Sequence, residues 1–297
     1  MRAASGALLV ALLAGCPAFH AGAPPDAPAG STFVDVDGVP VRYTDTGQGP
    51  AVVLVHGFGS SLDIWGPIVE RLAPAHRVIA IDLKGFGWTG RPEGDYSPWA
   101  QARLVWKVLD ARGVRDVAVV GHSWGASVAL AMALVQPARV RRIALYSAYA
   151  FEDQVPSFFR WARTGTLGEI LFALYYRERI EERVALAYHD PRHVTYERYQ
   201  HVERELARPG AVAAALATAR GQRYDRMEQR YRDIRVPVLL LWGDDDQVTT
   251  LAFGQRLAGE MPRARLIVYP ACGHLPMVEA AGASTRDLVD FLAEPAP

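Results

Sequence analysis

The sequence predicts an α/β fold in which a mostly parallel sheet is covered by helices on both faces. Short apolar runs of strand length alternate along the chain with longer segments that have the apolar periodicity of helices. Most of these short runs are apolar throughout, which is typical of strands buried on both faces of a parallel sheet. The first two runs are joined by Asp37-Gly38, a pair that favours a tight hairpin, so an antiparallel pair is expected to open the sheet.

Each element is predicted from its own stretch of sequence. Strands are predicted at residues 32–36, 39–44, 51–55, 78–81, 117–120, 140–146, 238–242 and 266–269. Helices are predicted at residues 64–73, 96–112, 126–136, 251–258 and 283–292.

One stretch breaks the alternation. Residues 148–232 contain no convincing strand and are helix-like and rich in aromatic side chains. An insertion of this size between two strands predicts a helical cap, placed at the carboxyl end of the sheet where α/β folds bind ligands. The core is therefore divided into residues 32–147 and 233–297, and a minority of the cap aromatics is expected to line a pocket.

Composition narrows the classes of function. The 297 residues are 50% hydrophobic, and 32 Lys and Arg balance 32 Asp and Glu. A net charge of zero argues against a nucleic-acid partner, which requires a basic surface. No apolar run in the body of the chain reaches about 18 residues, so no internal membrane span is expected.

The N-terminus has the pattern of an export signal. Arg2 precedes an almost purely apolar stretch that is too short to span a bilayer, so residues 1–15 are predicted to be a signal peptide. Residues 13–16, Leu-Ala-Gly-Cys, resemble a bacterial lipoprotein signal. The resemblance implies that Cys16 carries a lipid, which anchors an exported protein to a membrane of the cell envelope.

Two further expectations concern this region. Pro17 after the cysteine, rather than Asp, favours the outer membrane if the source has two membranes; the alternative is an ordinary cleaved signal in which Cys16 is incidental. Residues 16–31 are rich in Pro, Ala and Gly and are predicted to form a flexible tether. If Cys16 is lipidated or removed, Cys272 has no partner for a disulfide.

Residues 121–125 have the sequence Gly-His-Ser-Trp-Gly and lie between an apolar strand-like run and a helix-like run. A strand, a sharp turn that carries a serine, and a helix are the context in which this motif positions a nucleophile. The turn strains the backbone of the serine, so its neighbours must be small, and Gly121, Gly125 and Ala126 meet that need. The motif therefore predicts that Ser123 is a nucleophile.

A serine nucleophile needs a base, and the base needs an orienting carboxylate. Four motifs stand in the order found in one family: His-Gly-Phe-Gly at 56–59, the serine motif, Gly-Asp-Asp-Asp at 243–246, and Gly-His at 273–274. Over residues 32–295 the chain thus resembles the α/β-hydrolase superfamily. That resemblance implies an α/β-hydrolase fold with a helical cap.

The resemblance also assigns roles to residues. It implies that His274 is the base and that Asp246 orients it, while Asp244 and Asp245 would cap the next helix or hydrogen-bond the loop. The oxyanion would be bound by the backbone N–H groups of Phe58 and Trp124. The side chains of these two residues would form pocket wall, with ordinary core packing as the alternative.

The expected function is that of a serine hydrolase that cleaves an ester-like bond through an acyl-enzyme, as a carboxylesterase does, on uncharged substrates of modest size. Lipase, carbon–carbon bond hydrolase and aminopeptidase activities share the same machinery. An acyltransferase and a non-catalytic binding module are the alternatives from other classes. No cofactor or metal is expected, and Cys272 is expected to be a small packed side chain.

Overall fold

The computed structural model describes residues 17–178 and 180–295, and its centre is an eight-stranded sheet. The strands are Thr32–Val36 (β1), Val39–Thr46 (β2), Ala51–Val55 (β3), Arg77–Ile81 (β4), Val117–His122 (β5), Val140–Tyr146 (β6), Val238–Gly243 (β7) and Ala264–Tyr269 (β8). They are arranged in the order β1-β2-β4-β3-β5-β6-β7-β8.

The direction of the strands follows the sequence prediction. β1 pairs with β2, and β2 with β4, in antiparallel fashion, while every pair from β4 to β8 is parallel. The hairpin turn consists of Asp37 and Gly38, whose φ angles are 54° and 79°. Two successive positive φ values are those of the tight turn that suits the twist of a hairpin. The predicted α/β-hydrolase fold, with a mostly parallel sheet, is confirmed.

Helices connect the strands and cover both faces of the sheet. They are Gly66–Leu72 (α1), Pro98–Ala111 (α2), Trp124–Val135 (α3), Ser157–Ala162 (α4), Gly165–Tyr175 (α5), Ile180–Leu186 (α6), Tyr196–Ala207 (α7), Ala211–Gly221 (α8), Asp225–Glu228 (α9), Leu251–Glu260 (α10), Pro276–Glu279 (α11) and Ala281–Ala293 (α12). Short 3-10 turns lie at Leu62–Trp65, Pro137–Arg139, Glu152–Gln154, Pro191–His193 and Tyr231–Asp233.

The continuous apolar strands are explained by burial on two sides. In β3, Val53 and Val55 belong to the core shared with α2 and α3, whereas Val52 and Leu54 face the core shared with α1 and α12. Because successive side chains of a strand point to opposite faces, a strand covered by helices on both sides must be apolar at every position.

The region between β6 and β7 is the predicted cap. Helices α4 to α9 lie there, and its described residues contain no strand. Its own apolar cluster includes Phe172 and Tyr176 on one side and Leu216 on α8 on the other. The cap therefore has a small core of its own, which stacks on the loops at the carboxyl end of the sheet through Phe58.

The N-terminal segment differs from the predicted flexible tether. His20 and Arg91 exchange two backbone hydrogen bonds of 2.9 and 2.7 Å, and the ring of Phe19 stacks on Tyr96 at 6.1 Å. The indole of Trp88 donates to the carbonyl of Asp26 at 3.1 Å. Because the backbone of His20 is paired with that of Arg91 and the ring of Phe19 packs on Tyr96, these contacts hold the segment on the surface of the core.

The predicted signal peptide at 1–15 and the predicted lipidation site Cys16 lie outside the described residues. Within the described part of the chain, no helix is both long enough and apolar enough to span a bilayer.

Candidate active site

The predicted nucleophile lies on a strained turn between β5 and α3. Ser123 has a φ of 52° and a ψ of −122°, a conformation that L residues rarely adopt. The turn is tight because its glycines lie against the backbone: a Cβ on Gly125 would be 2.3 Å from the carbonyl oxygen of His56. A Cβ on Gly121 would be 2.6 Å from the carbonyl oxygen of Gly125. Small neighbours thus allow the turn that holds Ser123 at the carboxyl end of the sheet.

The structure brings the predicted base and acid together. His274 Nδ1 lies 2.9 Å from Asp246 Oδ2 and 3.1 Å from Oδ1, and both side chains are buried. The carboxylate is itself fixed, since Oδ1 accepts the N–H groups of Val248 at 2.9 Å and Thr249 at 2.8 Å. The Thr249 hydroxyl donates to Oδ2 at 2.9 Å. An Asp held in this way presents a defined acceptor to the imidazole.

Asp246 is ionised at neutral pH. Burial raises the pKa of its carboxyl group, but the charge and hydrogen bond of His274, together with the Thr249 N–H, lower that pKa further than burial raises it. The net pKa lies below the ordinary 3.8. A carboxylate that accepts from Nδ1 leaves Nε2 of His274 as the nitrogen able to accept a proton, the tautomer that a general base needs.

The two neighbouring aspartates have other partners. Asp244 Oδ1 accepts the Cys272 N–H at 3.5 Å, and Asp245 Oδ2 lies 2.7 Å from His189 Nδ1 in the cap. Neither caps the next helix, because the N-cap of α10 is Thr250, which makes no side-chain cap bond. Of the three adjacent carboxylates, Asp246 is the one in contact with His274.

The loop that carries His274 is bonded to the cap, a link that the sequence did not predict. The His274 N–H donates to the carbonyl of Ala187 at 2.9 Å. Glu279 bridges the same two segments, because Oε2 accepts the Gly273 N–H at 2.7 Å while Oε1 accepts the N–H groups of His189 and Asp190 at 2.9 Å each. No sequence motif marks Glu279, since its partners are backbone groups distant in sequence.

The predicted oxyanion loop lies directly on the nucleophile turn. A Cβ on Gly57 would be 3.1 Å from the Cβ of Ser123. Among the described residues, neither the N–H of Phe58 nor that of Trp124 donates to a protein acceptor. Trp124 is also the first residue of α3, where N–H groups have no partner within the helix and the helix dipole favours negative charge. Both donors are therefore free to bind an anionic oxygen.

Two other histidines support the site. Leu83 N–H donates to His56 Nε2 at 3.0 Å, so Nδ1 carries the proton and donates to the Gly57 carbonyl at 2.8 Å. His122 Nε2 donates to the carbonyl of His274 at 3.0 Å. Burial, with the positive charge that His274 can carry, lowers the pKa of His122 to about 3, so this ring stays neutral. Both imidazole rings therefore hold loop backbone groups in place, and neither is expected to serve as the general base.

Ser123 is only 8% exposed, and aromatic rings pack together at the neighbouring Phe58 loop. The ring of Phe58 lies 5.4 Å from Phe86 and 5.2 Å from Phe159 of the cap. Trp124 is 1% exposed and packs beneath Phe58 with a ring distance of 6.4 Å. In this arrangement Trp124 belongs to the core, while Phe58 joins core and cap.

The cavity that reaches the Phe58 loop has a volume of about 10 Å³, room for one water molecule. It is lined by Gly59, Phe86, Tyr176, Arg91 and Glu205, among others. This cavity by itself has no room for a substrate.

Cys272 does not offer a second nucleophile. Its side chain is buried, and burial, with the nearby carboxylates of Glu279 and Asp246, raises the pKa of the thiol to about 12. A thiol in this state is almost wholly protonated at neutral pH.

Within the described residues, no group of three or more His, Cys, Asp or Glu side chains is arranged to hold a metal ion.

Comparison with known proteins gives consistent matches. A family model described as the alpha/beta hydrolase fold matches residues 50–281. The 2-hydroxy-6-oxononadienedioate/2-hydroxy-6-oxononatrienedioate hydrolase of Burkholderia vietnamiensis is 32% identical over 282 residues, which cover 89% of this chain and 96% of that protein.

Two solved structures are similar over most of their length. A meta-cleavage product hydrolase superimposes with a TM-score of 0.78 at 27% identity and covers 89% of this chain and 98% of its own. A thermophilic esterase from Thermogutta terrifontis has a TM-score of 0.72 at 25% identity, with 88% and 96% of the two chains covered.

Proposed function

Because the chain belongs to the α/β-hydrolase family and is an enzyme of that family, we propose that it is a serine hydrolase that cleaves an ester-like bond through an acyl-enzyme. The observation that carries the proposal is the buried pair of His274 and Asp246, 2.9 Å apart, with the His274 ring 4.9 Å from the ring of His122, which directly precedes the strained Ser123. A strained serine and an oriented imidazole form the arrangement that activates a hydroxyl group.

The proposed reaction has two halves. Ser123 Oγ attacks the substrate carbonyl carbon while His274 Nε2 accepts its proton, and the N–H groups of Phe58 and Trp124 bind the oxygen that becomes negative. His274 then returns the proton to the leaving alcohol. A water molecule, deprotonated by His274, attacks the acyl-enzyme, and the acid leaves as Ser123 regains its proton. Asp246 stays ionised throughout and stabilises the imidazolium.

We propose that the substrate is an uncharged ester of modest size, as for a carboxylesterase. Support comes from the rings of Phe58, Phe86 and Phe159, which pack together at the loop beside the nucleophile turn and offer apolar surface.

Cleavage of a carbon–carbon bond is the second candidate. It is favoured by the relatives, since both the Burkholderia vietnamiensis protein and the meta-cleavage product hydrolase are named for that class of substrate. The same serine, imidazole and backbone N–H donors would serve either reaction. The two activities are therefore distinguished by the substrate that is cleaved and not by the triad.

We further propose that the protein is exported and anchored in the cell envelope by a lipid on Cys16, as the resemblance of residues 13–16 to a lipoprotein signal implies. Metabolic labelling with a fatty-acid analogue tests this directly. Label is expected on the full chain and not on the Cys16→Ser variant, and an unlabelled full chain would refute the anchor.

A fluorophosphonate probe tests the nucleophile. The full chain is expected to be labelled, and Ser123→Ala is expected to lose all label. Ser127→Ala is the matched control: this serine is buried on the same helix, but its hydroxyl donates to the Tyr149 carbonyl. Equal labelling of wild type and Ser123→Ala would overturn the proposal.

The bond type is tested with two substrate sets on the wild-type enzyme, free of probe. A series of p-nitrophenyl esters of increasing acyl length reports ester cleavage, and a 2-hydroxy-6-oxo-dienoate reports carbon–carbon cleavage. A kcat/KM for the dienoate that exceeds every ester by a factor of ten or more would replace the carboxylesterase assignment.

A further inference from the structure

The cap helix α5 has two apolar sides, of which one is left exposed by the residues that the structure describes. Phe172 faces the interior of the cap, where it stacks on Phe158 and Tyr176. Leu167, Ile170 and Leu174 are three and four residues apart, so they share the other face of the helix. Their exposed fractions are 45, 40 and 59%.

Two more large side chains extend this surface. Trp161, at the end of α4, is 60% exposed, and Tyr175 at the end of α5 is half exposed. In the sheet-forming part of the chain, exposed large apolar side chains such as Val135 and Val268 are far apart in sequence, as is normal for soluble surfaces. The grouping of five on two successive helices marks an interaction surface. We call the side chains of Trp161, Leu167, Ile170, Leu174 and Tyr175 the α5 face.

The start of the described chain lies next to the same helix. Pro17 and Ala18 line an open groove of about 350 Å³ together with Ala173 and Arg177, at the C-terminal end of α5. The segment is held in place just beyond, by the backbone pairing of His20. Residue 16 is one peptide bond, about 3.8 Å between Cα atoms, from Pro17. A lipid attached to Cys16 would thus leave the protein beside α5.

The charges around the α5 face fit an anionic partner. Residues 157–178 contain three arginines and two glutamates, of which Glu169 is bound by Arg220 at 2.8 Å and Arg163 is paired with Glu152. The charges that remain, Arg160, Arg177 and Glu178, are exposed and leave a balance of one positive charge. Basic side chains beside Trp, Tyr, Leu and Ile are the composition of helices that lie in the interface of an anionic bilayer.

We propose that the α5 face docks on the surface of an anionic phospholipid bilayer, so that the cap faces the membrane. The charges and apolar side chains support the docking itself, and the position of Pro17 adds a second attachment at the same side, a step that rests on the lipidation of Cys16 proposed above.

The docking is tested by depth measurement on the full chain. A polarity-sensitive fluorophore is attached to the new cysteine of the Leu174→Cys variant and, as a matched control, to that of the Val268→Cys variant. Val268 is likewise an exposed apolar residue and lies on β8. Any label on Cys16 is common to both proteins. Brominated phosphatidylglycerol vesicles are expected to quench the fluorophore at position 174 at least about twofold more than at 268. Equal quenching at the two positions would overturn the proposal.

Vesicle flotation gives a second, independent test. In the Cys16→Ser background, the triple variant Leu167→Gln, Ile170→Gln, Leu174→Gln is expected to bind phosphatidylglycerol vesicles at least about tenfold more weakly than its parent. Hydrolysis of a water-soluble ester should be unchanged, which shows that the variant is folded. The control Val135→Gln, Val268→Gln should bind as the parent does.

Unchanged binding by the triple variant in the flotation test would reject the membrane as partner. The membrane would also be rejected if the parent is a dimer in solution and the triple variant is a monomer, because a second copy of the chain would then cover the α5 face. Loss of the anchor alone would appear only in the fatty-acid labelling, and loss of the proposed chemistry only in the fluorophosphonate labelling.

Discussion

In the core, Ser123, Asp246 and His274 each follow a strand of one sheet, and each is fixed by short contacts to backbone within the fold. In the cap, by contrast, short helices enclose a cluster of aromatic rings and leave the α5 face exposed. The cap is joined to the core by hydrogen bonds and ion pairs at Ala187, Glu279, Asp245, Arg208 and Arg256, among others, and by ring contacts at Phe58.

This difference indicates a division of labour. The residues proposed to act on the substrate directly follow strands of the sheet, whereas the cap has only a small core of its own. Changes in the two regions should accordingly affect different quantities: rate constants and folding in the core, substrate preference and pH response in the cap.

The largest expected effect is a loss of kcat when Asp246, the proposed partner of His274, is replaced. Asp246→Asn should lower kcat by about 10⁴ with little change in KM, because an amide cannot hold the imidazole in the tautomer that accepts a proton from Ser123. The Asn side-chain oxygen can still accept the N–H groups of Val248 and Thr249, so the fold should survive. Steady-state kinetics on a p-nitrophenyl ester measures the effect.

The adjacent Asp245→Asn is the control, since Asp245 contacts His189 at the surface and not His274. It should keep kcat within about threefold of wild type. A fall as large as that of Asp246→Asn would mean that the two carboxylates share the role.

The second effect is on folding of the core. Gly125→Ala should lower the free energy of unfolding by about 3 kcal/mol, because its Cβ would lie 2.3 and 2.4 Å from the carbonyl oxygens of His56 and Val55. Thermal unfolding with circular dichroism measures it. Gly259→Ala on α10 is the control: a Cβ there meets nothing within 4 Å, and alanine favours a helix by up to about 1 kcal/mol. If both variants unfold at the same temperature, the turn is less tightly packed than described.

The parts of the molecule that the sequence predicts well are those set by local rules. Apolar runs predicted the strands because burial on two faces demands it, and Gly121 and Gly125 predicted the turn at Ser123 because their neighbours approach too closely for a side chain.

Long-range contacts were not predictable. Glu279 bridges the loop of His274 and the cap by accepting backbone N–H groups about ninety residues away in sequence, and no residue type is required at the donor side. The docking of the N-terminal segment was missed for the same reason: a stretch rich in Pro, Ala and Gly predicts flexibility, while its pairing depends on Arg91. The exposure of the α5 face could not be seen in its sequence, because both apolar sides of the helix look alike.

A third variant tests the contact between cap and core. Phe159→Ala should shift the preferred acyl length of p-nitrophenyl esters, with a change of about tenfold in kcat/KM between short and long chains, since its ring lies 5.2 Å from Phe58 on the predicted oxyanion loop. The neighbouring Phe158→Ala is the control, because that ring stacks on Phe172 inside the cap at 5.1 Å. The idea fails if both variants change the preference equally.

The smallest effect concerns Glu205 on α7. Burial raises the pKa of its carboxyl group to about 7, although Arg208 and Arg91 lower it in part. The ordinary pKa is 4.5, so between these two pH values the folded chain holds a proton that the unfolded chain has released. The stability that depends on this proton is complete below about pH 4.5 and is lost as the pH rises through about 7.

Glu205→Gln removes the titration and keeps the shape of the side chain. We expect the fall in Tm between pH 5 and pH 8 to become smaller by about 2–4 °C, the change that about 1 kcal/mol produces in a domain of this size. Glu203→Gln, on the exposed side of the same helix, should leave the fall as in wild type. If Glu205→Gln instead makes the fall in Tm between pH 5 and pH 8 larger, the prediction is wrong. That result would mean that Arg208 and Arg91 stabilise the Glu205 carboxylate more than burial disfavours it, so that Glu205 is ionised in the folded chain.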